Sequence, residues 1–324
     1  MNLKRLLLTA PLAILLTVAG FGLAPVMLSS SVRTTDMVAS SVPPTVQVQV
    51  IMVVAEPTAT ETPTPTAVPT STPVPTSTPV PTATSTRNPN LRAARVPILM
   101  YHYISVPPPD ADIFRLDLSV TPDNFAAQMD YLQAEGYTPI KLSDLSDYLL
   151  TGKSLPPKPI VLTFDDGYLD NYQNAVPILL KHKFPATFFI ITEFAEEMRP
   201  GYMTWDQIAE LSADGMEIGS HTVDHVELQS RTRAYLQTQV AGSKAMIEAR
   251  IGVTPQSFCY PSGKYDARAI DVLRSNGFLA ATTENSGAYQ STSGIYELRR
   301  IRVRGNYAIN DFAYWLKYWL ASGK

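Results

Sequence analysis

Short apolar runs with strand character recur along the second two-thirds of the chain, and segments with helical spacing intervene between most of them. The runs are Val96 to Tyr103, Tyr137 to Ile140, Pro159 to Phe164, Ala186 to Ile191, Met216 to Ser220, Ser257 to Tyr260, Leu279 to Thr282 and Leu298 to Val303. Between them lie Tyr168 to His182, Thr204 to Ala213, Gln229 to Ile251 and Asp266 to Ser275, with apolar residues three and four apart. Such alternation predicts parallel strands joined by crossover helices, because a parallel pair needs a long connection. Seven or eight units suit a closed barrel better than an open sheet. Thr121-Pro122 opens a further helix, with Thr as cap, Pro at the first helical position and Gly136 beyond its end.

One of these runs ends on paired carboxylates. Pro159-Ile160-Val161-Leu162 leads into Thr163-Phe164-Asp165-Asp166-Gly167-Tyr168. Strand neighbours point to opposite faces, so Asp165 and Asp166 can converge only if the chain turns there, and Gly167 is expected to supply the turn. Two close carboxylates repel unless a cation sits beside them. The plain reading of Asp-Asp-Gly is a solvated turn. Further ligands argue against it, at His221-Thr222-Val223-Asp224-His225, just after the run Met216 to Ser220. The i, i+4 spacing predicts one helical turn with both imidazoles on one face. Histidine pairs at this spacing are usually unrelated surface residues, but the chain has four histidines and two fall in this window. A third, His102, ends the first run, and His182 sits in a plain helical context. One carboxylate with two imidazoles suits zinc or another divalent transition ion.

Together and in this order, the segments Thr163 to Gly167 and His221 to His225 resemble the first two motifs of the polysaccharide deacetylases, the NodB-homology or carbohydrate esterase 4 family. The resemblance covers roughly residues 93 to 324. It implies an irregular (β/α) barrel of about seven parallel strands with reactive groups at the strands' carboxyl ends. It also implies that Asp166, His221 and His225 hold a divalent metal (Zn2+, with Co2+, Ni2+, Mn2+ or Fe2+ as alternatives), and that Asp165 is the general base. The implied reaction is hydrolysis of an N- or O-acetyl group on a sugar polymer. Phe258-Cys259-Tyr260-Pro261-Ser262-Gly263 resembles the third motif, whose usual form is Arg-x-Pro-aromatic-Gly. Alignment on Pro261 and Gly263 makes Tyr260 and the Ser262 N–H the groups that meet substrate and oxyanion.

Two departures from the family pattern matter. Cys259 stands where the motif's base-orienting arginine would be, and its plain reading is a small buried strand residue. The usual C-terminal Leu-x-His is absent, since His225 is the last histidine. We expect His102 to serve as general acid instead, and Arg300, in Leu298-Arg299-Arg300-Ile301-Arg302-Val303, to orient Asp165. For His102 the competing reading is a structural histidine. For Arg300 it is a solvated strand face, because Arg302 and Arg304 share its parity. The Tyr-His after the first run and the late Arg-Ile-x-Val are similar to the exopolysaccharide and poly-N-acetylglucosamine deacetylase branch. Trp205, Trp315 and Trp319 could stack on sugars, although the last two, four apart, are expected to pack a terminal helix.

The remaining chain reads as an export and spacing device. Lys4 and Arg5 precede the apolar stretch Leu6 to Leu28, which at about 20 residues is long enough to cross a bilayer. Residues 1–28 are therefore a signal peptide or an uncleaved anchor, with length favouring the anchor. Residues 29–92 are expected to be a disordered linker. Within it, positions 57–86 contain 8 Pro and 12 Thr, a composition that cannot bury a core and prefers an extended stalk of roughly 90 Å. Such a stalk is either O-glycosylated or bare. Cys259 is the single cysteine, which excludes an intrachain disulfide. The net charge of −3 gives no basic excess for nucleic acid. The expected protein is an extracytoplasmic monomer acting on a polysaccharide. A glycan-binding module on an impaired scaffold is the rival.

Overall fold

The computed structural model describes residues 91–323. The expected N-terminal helix and almost all of the linker and stalk lie outside them. No described helix is long and apolar enough to cross a membrane.

The strands, in chain order, are β1 (Ala93–Arg95), β2 (Ile98–Tyr101), β3 (Tyr103–Ile104), β4 (Ser119–Val120), β5 (Thr138–Ile140), β6 (Pro159–Phe164), β7 (Thr187–Ile190), β8 (Glu217–Ser220), β9 (Ser257–Cys259), β10 (Ala280–Ser286), β11 (Tyr289–Ser291) and β12 (Leu298–Arg302). Seven of them close a parallel barrel in the order β2-β12-β10-β9-β8-β7-β6. The pairing of β2 with β6, Tyr101 opposite Phe164, shuts the ring. Strand β5 pairs beside the first half of β6, with Thr138 opposite Pro159. Two short pairs lie apart from the barrel, β1 with β11 and β3 with β4.

Strand alternation sorts the core into an inside and an outside. Ile98, Val161, Phe189, Cys259, Ala280 and Leu298 come from strands all round the ring and form one cluster, the filling of the barrel. Their neighbours Leu99, Leu162, Phe164, Phe188 and Ile218 pack outwards in a larger cluster that includes helical residues Phe125, Met129, Leu179 and Leu211. The inner filling is tight. A Cβ on Gly219 would lie 2.6 Å from the Phe189 ring, so the absence of a side chain at 219 is what admits that ring.

The helix after Thr121 runs Pro122–Ala134, and the Thr121 hydroxyl accepts from the Asn124 N–H as an N-cap. The segment expected to be helical over Tyr168 to His182 instead begins with a π-helical turn, Asn171–Ala175, before the α-helix Val176–His182. Strand β2 stops at Tyr101, so His102 lies at a break between β2 and β3.

Candidate active site

Strand β6 fixes the first carboxylate through its parity. Phe164 faces outwards, its ring stacked at 4.7 Å on Phe188 and at 5.3 Å on Tyr101. Thr163 and Asp165 therefore face the barrel interior, and the Asp165 N–H still pairs with the Tyr101 carbonyl at 3.0 Å. The turn that brings Asp166 alongside starts one residue earlier than expected. Asp166 itself has φ 72° and Gly167 φ 75°. A non-glycine residue in that region is sparsely populated and is held there by its surroundings.

The second ligand segment is not the helical turn its spacing suggested. Residues 221–225 form a loop after β8, with Thr222 at φ 70° and His225 at φ 64°. Thr222 organises the loop: its hydroxyl accepts from the His225 N–H at 2.9 Å. The Gln239 side-chain oxygen accepts from the Val223 N–H at 3.0 Å. His221 continues the β7–β8 pairing through its N–H to the Ile190 carbonyl. Despite the different backbone, the two imidazoles meet.

Asp166 Oδ1 is 3.2 Å from Nε2 of His221 and 3.2 Å from Nε2 of His225. Nδ1 of His221 donates to the Cys259 carbonyl at 2.7 Å. In the neutral ring Nε2 is then an acceptor, and it faces a buried carboxylate oxygen that has no hydrogen-bond donor. Such a contact requires a cation between the acceptors or a proton on the ring. Burial opposes charge on His221, yet the Cys259 contact and Asp166 together raise its pKa well above the ordinary imidazole value. Burial likewise opposes the Asp166 anion, and the two imidazoles outweigh it to hold the carboxyl well below its usual range. The donor set, one oxygen and two imidazole nitrogens beside an open cavity, fits a divalent metal with room for water.

A second grouping of metal-ligand atoms, Asp165, His221 and Cys259, also lies within 4.8 Å. It is the poorer site, because Arg300 already occupies both oxygens of Asp165. Nη1 donates to Oδ1 at 2.7 Å and Nη2 to Oδ2 at 2.8 Å, and the guanidinium is buried. A cation there would face the guanidinium charge. Arg300 is held in turn by the Thr283 carbonyl, the Thr163 hydroxyl and the Cys259 sulfur at 2.9, 3.2 and 3.3 Å. Burial would push Asp165 up, but Arg300 and then His102 bring it below the ordinary carboxylate value. Cys259 is fully buried in β9, and its small side chain leaves room for the guanidinium beside Asp165.

A cavity of about 430 Å³ opens over these groups. Of the residues expected in the site, His102, Asp165, Asp166, His221, His225, Tyr260 and Ser262 all line it, while Arg300 contacts Asp165 from within the barrel. His102 Nε2 is 3.8 Å from Asp165 Oδ2, beyond hydrogen-bond length. Burial lowers the His102 pKa against the pull of Asp165 and Asp166. The buried Tyr260 hydroxyl has no partner, and burial keeps it protonated as a free donor. Ser262 stands at φ 54° in the tight turn Pro261–Gly263.

The sequence reading missed Phe114, Leu118, Tyr168, Glu284 and Arg302, which complete the cavity wall. Tyr168 follows the Asp-Asp-Gly turn and was within reach. Phe114 and Leu118 belong to the six-residue helix Ile113–Leu118, too short to show periodicity. Trp205, Trp315 and Trp319 are not among the lining residues. Trp205 and Trp319 pack partly buried against the outer core, and Trp315 stacks on Tyr307.

Comparison with known proteins agrees with this geometry. Residues 152–281 match the family model described as polysaccharide deacetylase. The chain is 33% identical to YxkH of Bacillus subtilis, named for that family, over 65% of this chain and 72% of that protein. It is 24% identical to the poly-beta-1,6-N-acetyl-D-glucosamine N-deacetylase of Escherichia coli, covering 60% of this chain but only 35% of that enzyme's length. Among solved structures, the Streptococcus pyogenes deacetylase PplD in complex with acetate superposes with a TM-score of 0.64 at 28% identity, over 69% of this chain and 99% of that one. IcaB of Ammonifex degensii gives 0.60 at 26% identity, over 68% and 97%. The barrel, the convergent carboxylates and imidazoles and these likenesses lead to one conclusion: the chain belongs to the polysaccharide deacetylase family.

Proposed function

We propose that the protein removes the N-acetyl group from N-acetylglucosamine units of an extracellular or cell-wall polysaccharide, in a reaction that depends on a divalent metal, most readily Zn2+. The observation that carries this reading is the division of labour between adjacent carboxylates. Asp166 Oδ1 lies 3.2 Å from Nε2 of both imidazoles, while both oxygens of Asp165 are taken up by the Arg300 guanidinium. Bound by Asp166, His221 and His225, the metal would supply a Lewis acid that polarises the acetyl carbonyl and lowers the pKa of water.

The chain's own residues account for the proton traffic. Asp165, kept ionised and oriented by Arg300, accepts the proton of the attacking water. As the water oxygen bonds to the acetyl carbon, the carbonyl oxygen gains negative charge, which the Ser262 N–H would receive, with Tyr260 beside it in the cavity wall. His102, across the cavity floor from Asp165, then protonates the sugar nitrogen as the carbon–nitrogen bond breaks, leaving acetate and a free amine. Its lowered pKa means that it must acquire this proton during the cycle, and Asp165 is the acid nearest to it.

The choice of an N-acetyl group is supported by relatives named poly-beta-1,6-N-acetyl-D-glucosamine N-deacetylase in E. coli and Staphylococcus epidermidis. Placement outside the cytoplasm, secreted or anchored through residues 1–28, is supported by the apolar stretch and Thr/Pro-rich stalk of the sequence. The rival reading, a glycan-binding module, drew on the missing motif arginine and C-terminal histidine. The Arg300 guanidinium nevertheless holds Asp165 from β12, and the His102 imidazole stands 3.8 Å from it. The test is acetate release from β-1,6-linked N-acetylglucosamine oligomers. Release abolished by a chelator and restored by Zn2+ supports the proposal. Tight oligomer binding with no release under any divalent metal would leave the binding module.

A further inference from the structure

We propose that Asp170 and Asn174, in the turn that follows the paired carboxylates, position the His102 imidazole for proton delivery; this rests on the deacetylase reading above. The contact of His102 Nε2 with Asp165, at 3.8 Å, is too long to hold the ring. Its place is therefore set by the backbone on either side of it. On the near side Tyr101 ends β2, and its carbonyl accepts from the Asp165 N–H at 3.0 Å. On the far side each of the next three residues is held by the segment 168–174. The Tyr103 ring lies on that of Tyr168 with centroids 3.8 Å apart. The Ile104 carbonyl accepts from Asn174 Nδ2 at 2.8 Å. The Ser105 hydroxyl donates to Asp170 Oδ2 at 2.6 Å. Strand β4 also pairs with β3, but it joins β3 to the cavity-wall helix Ile113–Leu118 and not to the carboxylates.

The clamp has a fixed base. The Leu169 N–H donates to the Gly201 carbonyl and the Met203 N–H to the Gly167 carbonyl, both at 2.9 Å, and the Tyr168 ring rests against Tyr202 at 5.1 Å. Asp170 then leads into the π-helical turn, in which the Val176 N–H reaches back five residues to the Asn171 carbonyl. Pro177, in the first turn of the helix that follows, accounts for the wider turn: it brings no N–H, and its ring crowds the carbonyl four residues before it. With Asp170 at its start and Asn174 inside it, the turn presents one acceptor and one donor to neighbouring residues of the His102 segment. The chain from Asp165 to Asn174 is continuous, so the base and the hold on the acid belong to one piece of backbone.

The test uses Asn174→Leu, similar in shape but without the donor, and Ser105→Ala, each alone and combined with His102→Ala, in the zinc-loaded full chain. On β-1,6-linked N-acetylglucosamine oligomers each single variant should lose about 10-fold in kcat. Zinc content, and the KM of Asn174→Leu, should stay at the wild-type values. On p-nitrophenyl acetate, whose phenolate leaves without a proton, both variants should match the wild type. Neither should lower the residual activity of His102→Ala, because the acid they position is gone. Equal loss on the two substrates, a loss that persists in full beside His102→Ala, or wild-type kcat in both variants would overturn the proposal. If the wild type releases no acetate from any oligomer the deacetylase reading fails, and ring-labelled histidine then decides the positioning by NMR. The chain has four histidines. The line that disappears in His102→Ala should move in Asn174→Leu while those of His221 and His225 stay, and a stationary line would overturn the proposal.

Discussion

The guanidinium of Arg300 forks onto the carboxylate of Asp165, with Nη1 and Nη2 each donating to a separate oxygen at 2.7 and 2.8 Å. The two residues are 135 positions apart and meet because β12 and β6 both flank β2 in the closed barrel. A bidentate pair of this kind fixes orientation as well as charge. It also offsets the cost of burying the carboxylate.

Removing that cation reverses the balance at Asp165. In Arg300→Met, burial is opposed only by the neighbouring imidazoles of His102 and His221, and the Asp165 pKa rises. The acid limb of the kcat/KM profile should move to higher pH, and activity at neutral pH should fall on the order of 100-fold. The stability effect has a definite sign. In the wild type the depressed pKa contributes stability above the unfolded carboxylate's pKa, and this is lost as pH falls through the folded value. In the variant the carboxylate is buried unpaired, costing about 3–5 kcal/mol at neutral pH, and protonation relieves that cost. Urea unfolding of metal-stripped protein at several pH values should show the penalty shrinking as pH falls. A pH-independent penalty would contradict the pairing.

His102 lines the cavity but lies outside the Asp166, His221 and His225 cluster. His102→Ala should therefore keep its bound metal and lose roughly 100- to 10,000-fold in kcat. Wild-type acetate release by a metal-loaded His102→Ala protein would remove the acid from the scheme.

Phe114 is 70% exposed at the cavity mouth, on a helix tethered where Arg115 stacks on Tyr103 and donates to Ser105. An exposed ring with a tethered base is expected to offer a sugar a stacking face. Phe114→Ala should raise KM for an N-acetylglucosamine oligomer roughly 2- to 10-fold, as expected for the loss of one ring contact. Both kcat and the urea midpoint should stay close to wild type. An unchanged KM would show that the ring does not meet the sugar.

Gly219→Ala tests the barrel filling. Its Cβ would fall 2.6 Å from the Phe189 ring and 3.0 Å from the Ser257 carbonyl, and neither atom is the end of a flexible chain. Overpacking should cost about 1–3 kcal/mol in urea unfolding. A neutral result would mean that the barrel interior is looser than its contacts show.

What could be read from the sequence follows from how local each signal is. The run Pro159–Phe164 appears in the structure with the bounds expected, because a strand buried on both faces writes a continuous apolar run. The candidate ligand residues Asp166, His221 and His225 were legible because motif and order are local. The backbone between His221 and His225 was not, since i, i+4 spacing fits a helix and also fits a loop with two left-handed residues. For Arg300 the shared parity with Arg302 and Arg304 gave no depth. Arg300 reaches Asp165 inside the barrel, Arg302 meets Glu284 at the mouth, and Arg304 pairs with Asp117 beyond the strand's end. Height along the barrel, which a linear pattern does not carry, separates a buried ion pair from two exposed ones.

The separation of roles between the neighbouring carboxylates is tested most directly by metal content per chain after zinc loading and dialysis. Wild-type and Asp165→Asn proteins should each retain one equivalent, the latter without activity, while Asp166→Asn should retain almost none. Loss of zinc from Asp165→Asn, or its full retention by Asp166→Asn, would contradict the assignment.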